Sequence, residues 1–337
     1  MKNWITRLFG AGGNTSPAPS GAAAGEAAGV ASSPGSALPD TDGPDVGLAF
    51  WHWLSAGLAA SGPAPHTALV LAELEGLARD PAAGAELVPR MPDIIPQLLR
   101  SLRDEGVSGA DLARQVGRDP LLAGEVIREA NSSFYRQATP ARTIDAALLV
   151  LGQNGLRMLL ARAAFRPIIG MQGGVHAKVA APRVWSHTER CALAASLLAP
   201  ACHADPFEAY LAGLMHDLGL VVALRLFDGV AFDRLGEAGA LPQDAPSAAL
   251  LLAAARELSG RIALYWDLPP PVGAAILGAG AARSAAATPL TRTLARAVDV
   301  GRLRLLADHG LLPPGSPVLA ALDALERRVY ERLAPAA

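Results

Sequence analysis

From Leu48 to Leu333 the chain runs as one apolar helical stretch after another, each marked off by proline, glycine or a capping residue. This succession constrains the fold more than any single motif does. It begins with Phe50, Trp51, Trp53 and Leu54, and resumes over Ala68 to Ala78 after the turn-rich Ser61-Gly-Pro-Ala-Pro65. Ile94 to Leu102 reads as a helix, and Ser108 opens another over Ser108 to Val116 as a capping residue three positions before an acid. Asp119 is placed as an N-cap with Pro120 at the first helical position, and Thr143 to Gly152 is a further capped helix leading to the turn Gly152-Gln-Asn-Gly155. No hairpin or βαβ signal interrupts the series up to Leu160. Aromatic residues make up only 5% of the chain while Ala and Leu dominate its apolar set, which favours helices over sheets. The expected fold class is all-α.

In the second half a less regular stretch covers Pro167 to Pro182. Helices are then expected over Val184 to Leu198, Pro206 to Phe227, Pro246 to Trp266, Pro271 to Leu277, Pro289 to Asp308 and Pro317 to Leu333. Residues 1–10 form a short amphipathic tip that could touch a membrane surface or a partner. Residues 11–46 are a Gly, Ala, Pro and Ser linker too poor in apolar surface to order itself. Residues 47–87 read as a helical extension, 88–310 as the main helical domain with lobes at 88–166 and 183–310, and 311–337 as a C-terminal helix.

Several function classes recede on composition alone. The formal net charge of −2 provides no basic field for nucleic acid. Cys191 and Cys202 lack a CxxC spacing and read as buried free thiols. Arg7 breaks the only short apolar run near the start, so no signal-peptide core is expected. The apolar run from Leu211 to Phe227 contains His216, Asp217 and Arg225, which argues against a transmembrane segment and for a cytoplasmic location. No Gly-rich phosphate loop, nucleophile elbow or Rossmann fingerprint occurs. His52, His203 and His309 read as surface or packed histidines, Asn131 as a helix C-cap, and Arg157 and Arg166 as helix-end arginines.

What stands out is a polar dyad, His216-Asp217, inside that same apolar run. Unpaired, such buried groups would cost a few kcal/mol each, so either a metal ion or other side chains must satisfy them.

Seven features occur in a fixed order around the dyad. They are Pro89-Arg-Met-Pro92, Arg118-Asp-Pro-Leu121, Ala130-Asn-Ser132, the run Ala146 to Leu151 leading to Gly152 and Leu156-Arg157, Trp185-Ser-His187, Leu211-Ala-Gly-Leu-Met-His-Asp-Leu-Gly219 and Trp266-Asp-Leu-Pro269. In this order the chain resembles the HDOD family, a bacterial signalling family related to the HD metal-dependent phosphohydrolases. The resemblance covers Val88 to about Leu306. It implies an N-terminal helical lobe packed on an HD-like helical core, and a regulatory role acting through a protein partner, with a small nucleotide as a further ligand class and links to second-messenger signalling or motility. HD enzymes hold divalent ions with a histidine, a His-Asp dyad and a distant aspartate. The residues carried over here are His187, His216, Asp217 and Asp299, enough for one divalent ion of open identity. No histidine lies between Asp217 and Asp299, and the Gly-Tyr-Pro signature of the cyclic-dinucleotide phosphodiesterases is missing. A binuclear phosphodiesterase is therefore not expected. A non-enzymatic regulatory module with a degenerate metal site is the leading expectation, and a mononuclear phosphohydrolase the alternative.

Overall fold

Acidic and hydroxyl side chains start most of the helices by accepting from otherwise orphaned backbone N–H groups. The structure, a computed structural model, describes residues 45–58, 64–87, 120–131, 139–170, 174–229 and 240–334. All elements among the described residues are helical. Asp45 opens α1 (Val46–Ser55), which is followed by α2 (Ala64–Arg79) and α3 (Pro81–Glu86), the last capped by Asp80. Next come α4 (Pro120–Ala130), α5 (Ile144–Gly170) and α6 (Val175–Leu198). Asp205 caps α7 (Pro206–Met215), and α8 (Leu218–Asp228) follows across the turn made by His216 and Asp217. Asp244 caps α9 (Ala245–Tyr265), which precedes α10 (Pro270–Gly278) and α11 (Pro289–Asp308), capped by Thr288. The described chain closes with α12 (Pro317–Ala320) and α13 (Ala324–Arg332), where Asp323 and Glu326 form a capping box.

Helix α6 is the centre of the bundle, in contact with α1, α5, α7, α8, α11 and α13. Helix α9 forms the second layer, packed on α2, α3, α8 and α10. Two stretches, Ile144–Ala163 and Pro206–Asp228, are long and apolar enough by composition to cross a membrane. The second is 94% buried inside the fold and broken by the dyad, as befits the spine of a packed core. The first contains Arg162, ion-paired to Glu129 at 3.1 Å and to Glu189 at 2.5 Å.

Three helix boundaries differ from the sequence reading, each for a physical reason. Helix α6 begins at Val175, nine residues before the expected Val184, and carries Pro182 in its interior. Its N-terminal amides are capped from α8: Asp228 accepts from Val175 N (3.0 Å), His176 N (2.9 Å) and Ala177 N (3.1 Å). The stretch 206–227 is two helices because the dyad forms a turn between them. The expected final helix is likewise split, since Asp323 starts a new helix after Ala320. At Gly152 the expected turn is a kink within α5, with φ 65° and ψ 176°. The tip, the linker, Pro89–Pro92 and the helices expected over 94–102 and 108–116 lie outside the described residues.

Candidate functional site

Two glycines press the dyad into the core. A Cβ on Gly213 would lie 2.4 Å from the Ala192 Cα of α6, and one on Gly219 would lie 2.0 Å from the Ala255 carbonyl oxygen of α9. Only bare backbone on both sides of His216-Asp217 allows three helices to approach so closely. The amide of Gly219 donates to Ser259 Oγ at 2.8 Å, fixing the start of α8 on α9.

Within this clamp His187, on α6, donates its Nδ1–H to Asp217 Oδ2 at 2.5 Å. His216 donates its Nδ1–H to the Gly213 carbonyl at 2.7 Å. Both acceptors are oxygens without protons, so both rings turn Nε2 inward as a lone pair when neutral. His187 Nε2 lies 3.2 Å from Cys191 Sγ, one helical turn along α6. His216 Nε2 has no hydrogen-bond partner and lies 3.2 Å from Asp217 Oδ1. The ligand atoms of His187, Cys191 and His216 all fall within 4.8 Å of one another, and all three residues are buried.

Burial and charge set the protonation states. Burial pushes His187 down to about 4, although the adjacent Asp217 carboxylate opposes the shift. Burial also lowers His216, again against Asp217. For Asp217 burial alone would raise the carboxyl, but His216 and His187 outweigh it and hold it well below the ordinary carboxylate range. The Cys191 thiol is pushed up, first by burial and then by Asp217.

The cover of the site comes from outside the region that carries the family resemblance. Phe50 of α1 is fully buried, with its ring centroid 4.4 Å from that of His187. Arg302 of α11 lies over the same Phe50 ring at 4.8 Å. Helix α1 is fastened in place by Trp51 Nε1 donating to the Pro242 carbonyl at 2.7 Å and by Arg183 donating to the carbonyls of Leu54 (2.9 Å) and Ala56 (2.6 Å). Trp53 packs edge-on against His309 at 5.2 Å.

Of the four residues expected to hold a metal, the structure brings together His187, His216 and Asp217. Asp299 is exposed on α11 and shares no hydrogen bond or ion pair with those three among the described residues. Its carboxyl is raised by the crowding of surrounding protein, with Arg302 pulling the other way. The structure thus shows three of the four expected residues in direct contact and Asp299 apart from their hydrogen bonds. Cys191 joins the cluster instead; its spacing of four from His187, which puts both on one helix face, is the signal that could have found it. Asn131 lies just beyond α4 and clasps Ala141, donating Nδ2–H to its carbonyl at 2.8 Å and accepting from its amide at 2.7 Å. His52 is exposed and lies 3.0 Å from the Gln243 carbonyl.

Comparison with known proteins agrees with this architecture. An HDOD domain protein from Geobacter sulfurreducens superposes with a TM-score of 0.55 at 23% identity, covering 77% of this chain and 87% of its own. A Shewanella amazonensis protein, provisionally named a metal-dependent phosphohydrolase, does so with 0.54 at 17% identity, covering 80% of this chain and all of its own. A Marinobacter aquaeolei protein, provisionally named a signal transduction protein, reaches 0.51 at 22% identity over 84% of this chain and 69% of its own. At such identities the likeness speaks for the fold alone. No curated protein matches the chain. The HDOD domain itself matches residues 88–280, more than half of the sequence, and with the dyad, its helical setting and the order of motifs in place, the chain belongs to the HDOD family.

Proposed function

We propose that the chain is a non-enzymatic regulatory module of the cytoplasm, in which the HD-like core is a scaffold for contacts with a partner protein. One observation supports this reading: the polar cluster is sealed inside the fold, with the buried ring of Phe50 against His187 at 4.4 Å between centroids and under Arg302. Hydrolysis at a metal centre requires an open coordination position and a route for substrate and water. Here His187 is 0% exposed and His216 and Asp217 are each 4% exposed. The relative named for signal transduction supports the reading at the level of the fold, and the resemblance adds a small nucleotide and second-messenger signalling as its context.

The alternative, a mononuclear phosphohydrolase, draws on the retained His187, His216 and Asp217 and on the relative named as a phosphohydrolase. Purified full-length protein, assayed on a panel of nucleotides and phosphoesters with added divalent ions, distinguishes the two. The expected outcome is no turnover above that of His216→Ala. Metal-dependent turnover that disappears in His216→Ala would overturn the regulatory reading.

A further inference from the structure

We infer that His187, Cys191 and His216 supply three donors of a buried thiolate-containing metal site, suited to zinc, in which Asp217 orients His187 and Asp299 takes no part. The inference goes beyond the regulatory reading and does not depend on it.

The arrangement of hydrogen bonds motivates it. A histidine that binds a metal through one ring nitrogen characteristically donates its other N–H to a carboxylate or a backbone carbonyl, which fixes both tautomer and orientation. Both histidines do so here, one to Asp217 Oδ2 and the other to the Gly213 carbonyl. Their Nε2 lone pairs are left facing Cys191 Sγ, and the Nε2 of His216 is buried without a hydrogen-bond partner. That nitrogen also faces Asp217 Oδ1 at 3.2 Å, so two electron-rich atoms meet in a dry core. Positive charge bound at the His216 Nε2 lone pair relieves that meeting. Phe50 packs against the His187 ring at a 44° tilt, while His187 Nε2 faces Cys191 Sγ at 3.2 Å.

The chemistry of the donors selects the ion. Two imidazoles and one thiolate suit a borderline-soft, tetrahedral divalent ion, whereas magnesium and calcium prefer oxygen. Zinc–nitrogen and zinc–sulfur bond lengths imply donors about 3.3–3.6 Å apart. His187 Nε2 and Cys191 Sγ are already 3.2 Å apart, and the third donor lies within 4.8 Å of both. Gly301 of α11 leaves room for the sulfur, since a Cβ there would come within 2.8 Å of Cys191 Sγ. On binding, the thiol gives its proton to solvent and the thiolate forms the bond to the metal; nothing is oxidised or reduced. The three donors are buried under Phe50, so the fourth position of a tetrahedral ion would be left to a small ligand such as water.

The test uses the full-length chain, produced in zinc-replete medium and purified without chelator, then reloaded with cobalt as a spectroscopic probe. The expected result is one ion per chain and an intense near-ultraviolet sulfur-to-cobalt charge-transfer band. The band should be absent in Cys191→Ser and unchanged in Asp299→Asn. Asp217→Asn should weaken cobalt affinity about 10–100-fold while keeping the band at saturating metal. Wild-type protein that takes up no ion, or that binds cobalt without the sulfur band, would overturn the proposal, and neither measurement depends on a variant folding. Loss of binding in Asp299→Asn but not in Cys191→Ser would overturn it in favour of the ligand set implied by the family resemblance. Turnover in the hydrolase panel, or its absence, changes none of these outcomes.

Discussion

Helices α6 and α8 are joined by two His–Asp rungs, and the two rungs do different things. His187 meets Asp217 at one end of the pairing and His176 meets Asp228 at the other. The histidines are eleven residues apart and so are the aspartates, which is what antiparallel helices require of two parallel rungs. An eleven-residue separation along a helix corresponds to about 16 Å. At the outer rung the carboxylate is consumed by its neighbours: besides the His176 ring at 2.6 Å it accepts from the three amides that start α6. At the inner rung the carboxylate accepts one ring N–H, and the surplus donor atoms of His187, His216 and Cys191 turn toward each other. The same residue pair thus serves as a helix cap where backbone amides are available and as the wall of a polar cluster where they are not.

Removing the inner carboxylate should have the largest effect. Asp217→Ala leaves the Nδ1–H of fully buried His187 without its acceptor and is expected to lower unfolding stability in urea by about 3 kcal/mol, the upper end for an orphaned buried donor. Asp228→Ala should cost about 2 kcal/mol, the combined scale of a lost helix cap and of hydrogen bonds to a charged acceptor. Hydrogen exchange would locate that loss at the amides of Val175, His176 and Ala177, with the inner rung unaffected. Equal costs for the two variants would dissolve the distinction between cap and cluster. Phe50→Leu keeps most of the apolar cover but removes the ring stacked on His187, and about 1 kcal/mol is expected in the same measurement.

The smallest effect is the pH dependence at the outer rung. Burial tends to raise the Asp228 carboxyl, but the hydrogen bonds from the ring and amide of His176 and the amide of Ala177 prevail and hold it below its usual 3.8. A carboxylate with a lowered folded-state value stabilises the fold fully above its unfolded value, and loses that contribution as pH falls through the folded one. Exchange protection at Val175 to Ala177 should therefore hold above about pH 4 and decline below it, while Asp228→Asn shows no such decline.

The inner rung is legible in the sequence where the outer rung is not. His216-Asp217 stands out because two polar groups interrupt an apolar run, and the order of motifs leads from there to His187. Cys191 was within reach through its spacing from His187, but a lone buried thiol carries no signal until the histidine is known to face inward. Asp228 offers no local cue: it caps a helix that begins 53 residues earlier in the chain, and only the antiparallel packing of α6 and α8 brings the two together. For that reason the sequence alone places the start of α6 too late. Phe50 is visible as an apolar residue on an amphipathic helix, yet nothing in its neighbourhood says that it will lie on a histidine more than a hundred residues away. The helical class of the fold was readable because caps and prolines are local, whereas the site depends on contacts that are not.

The break at Gly152 decides how the two parts of α5 meet. The element is two helical segments joined there, and it contacts α4 as well as α6 and α7. At φ 65° and ψ 176° the backbone of Gly152 sits where side chains other than hydrogen are strained, and no other residue of α5 departs from helical angles. The mutual orientation of the two segments therefore rests on a single residue without a side chain.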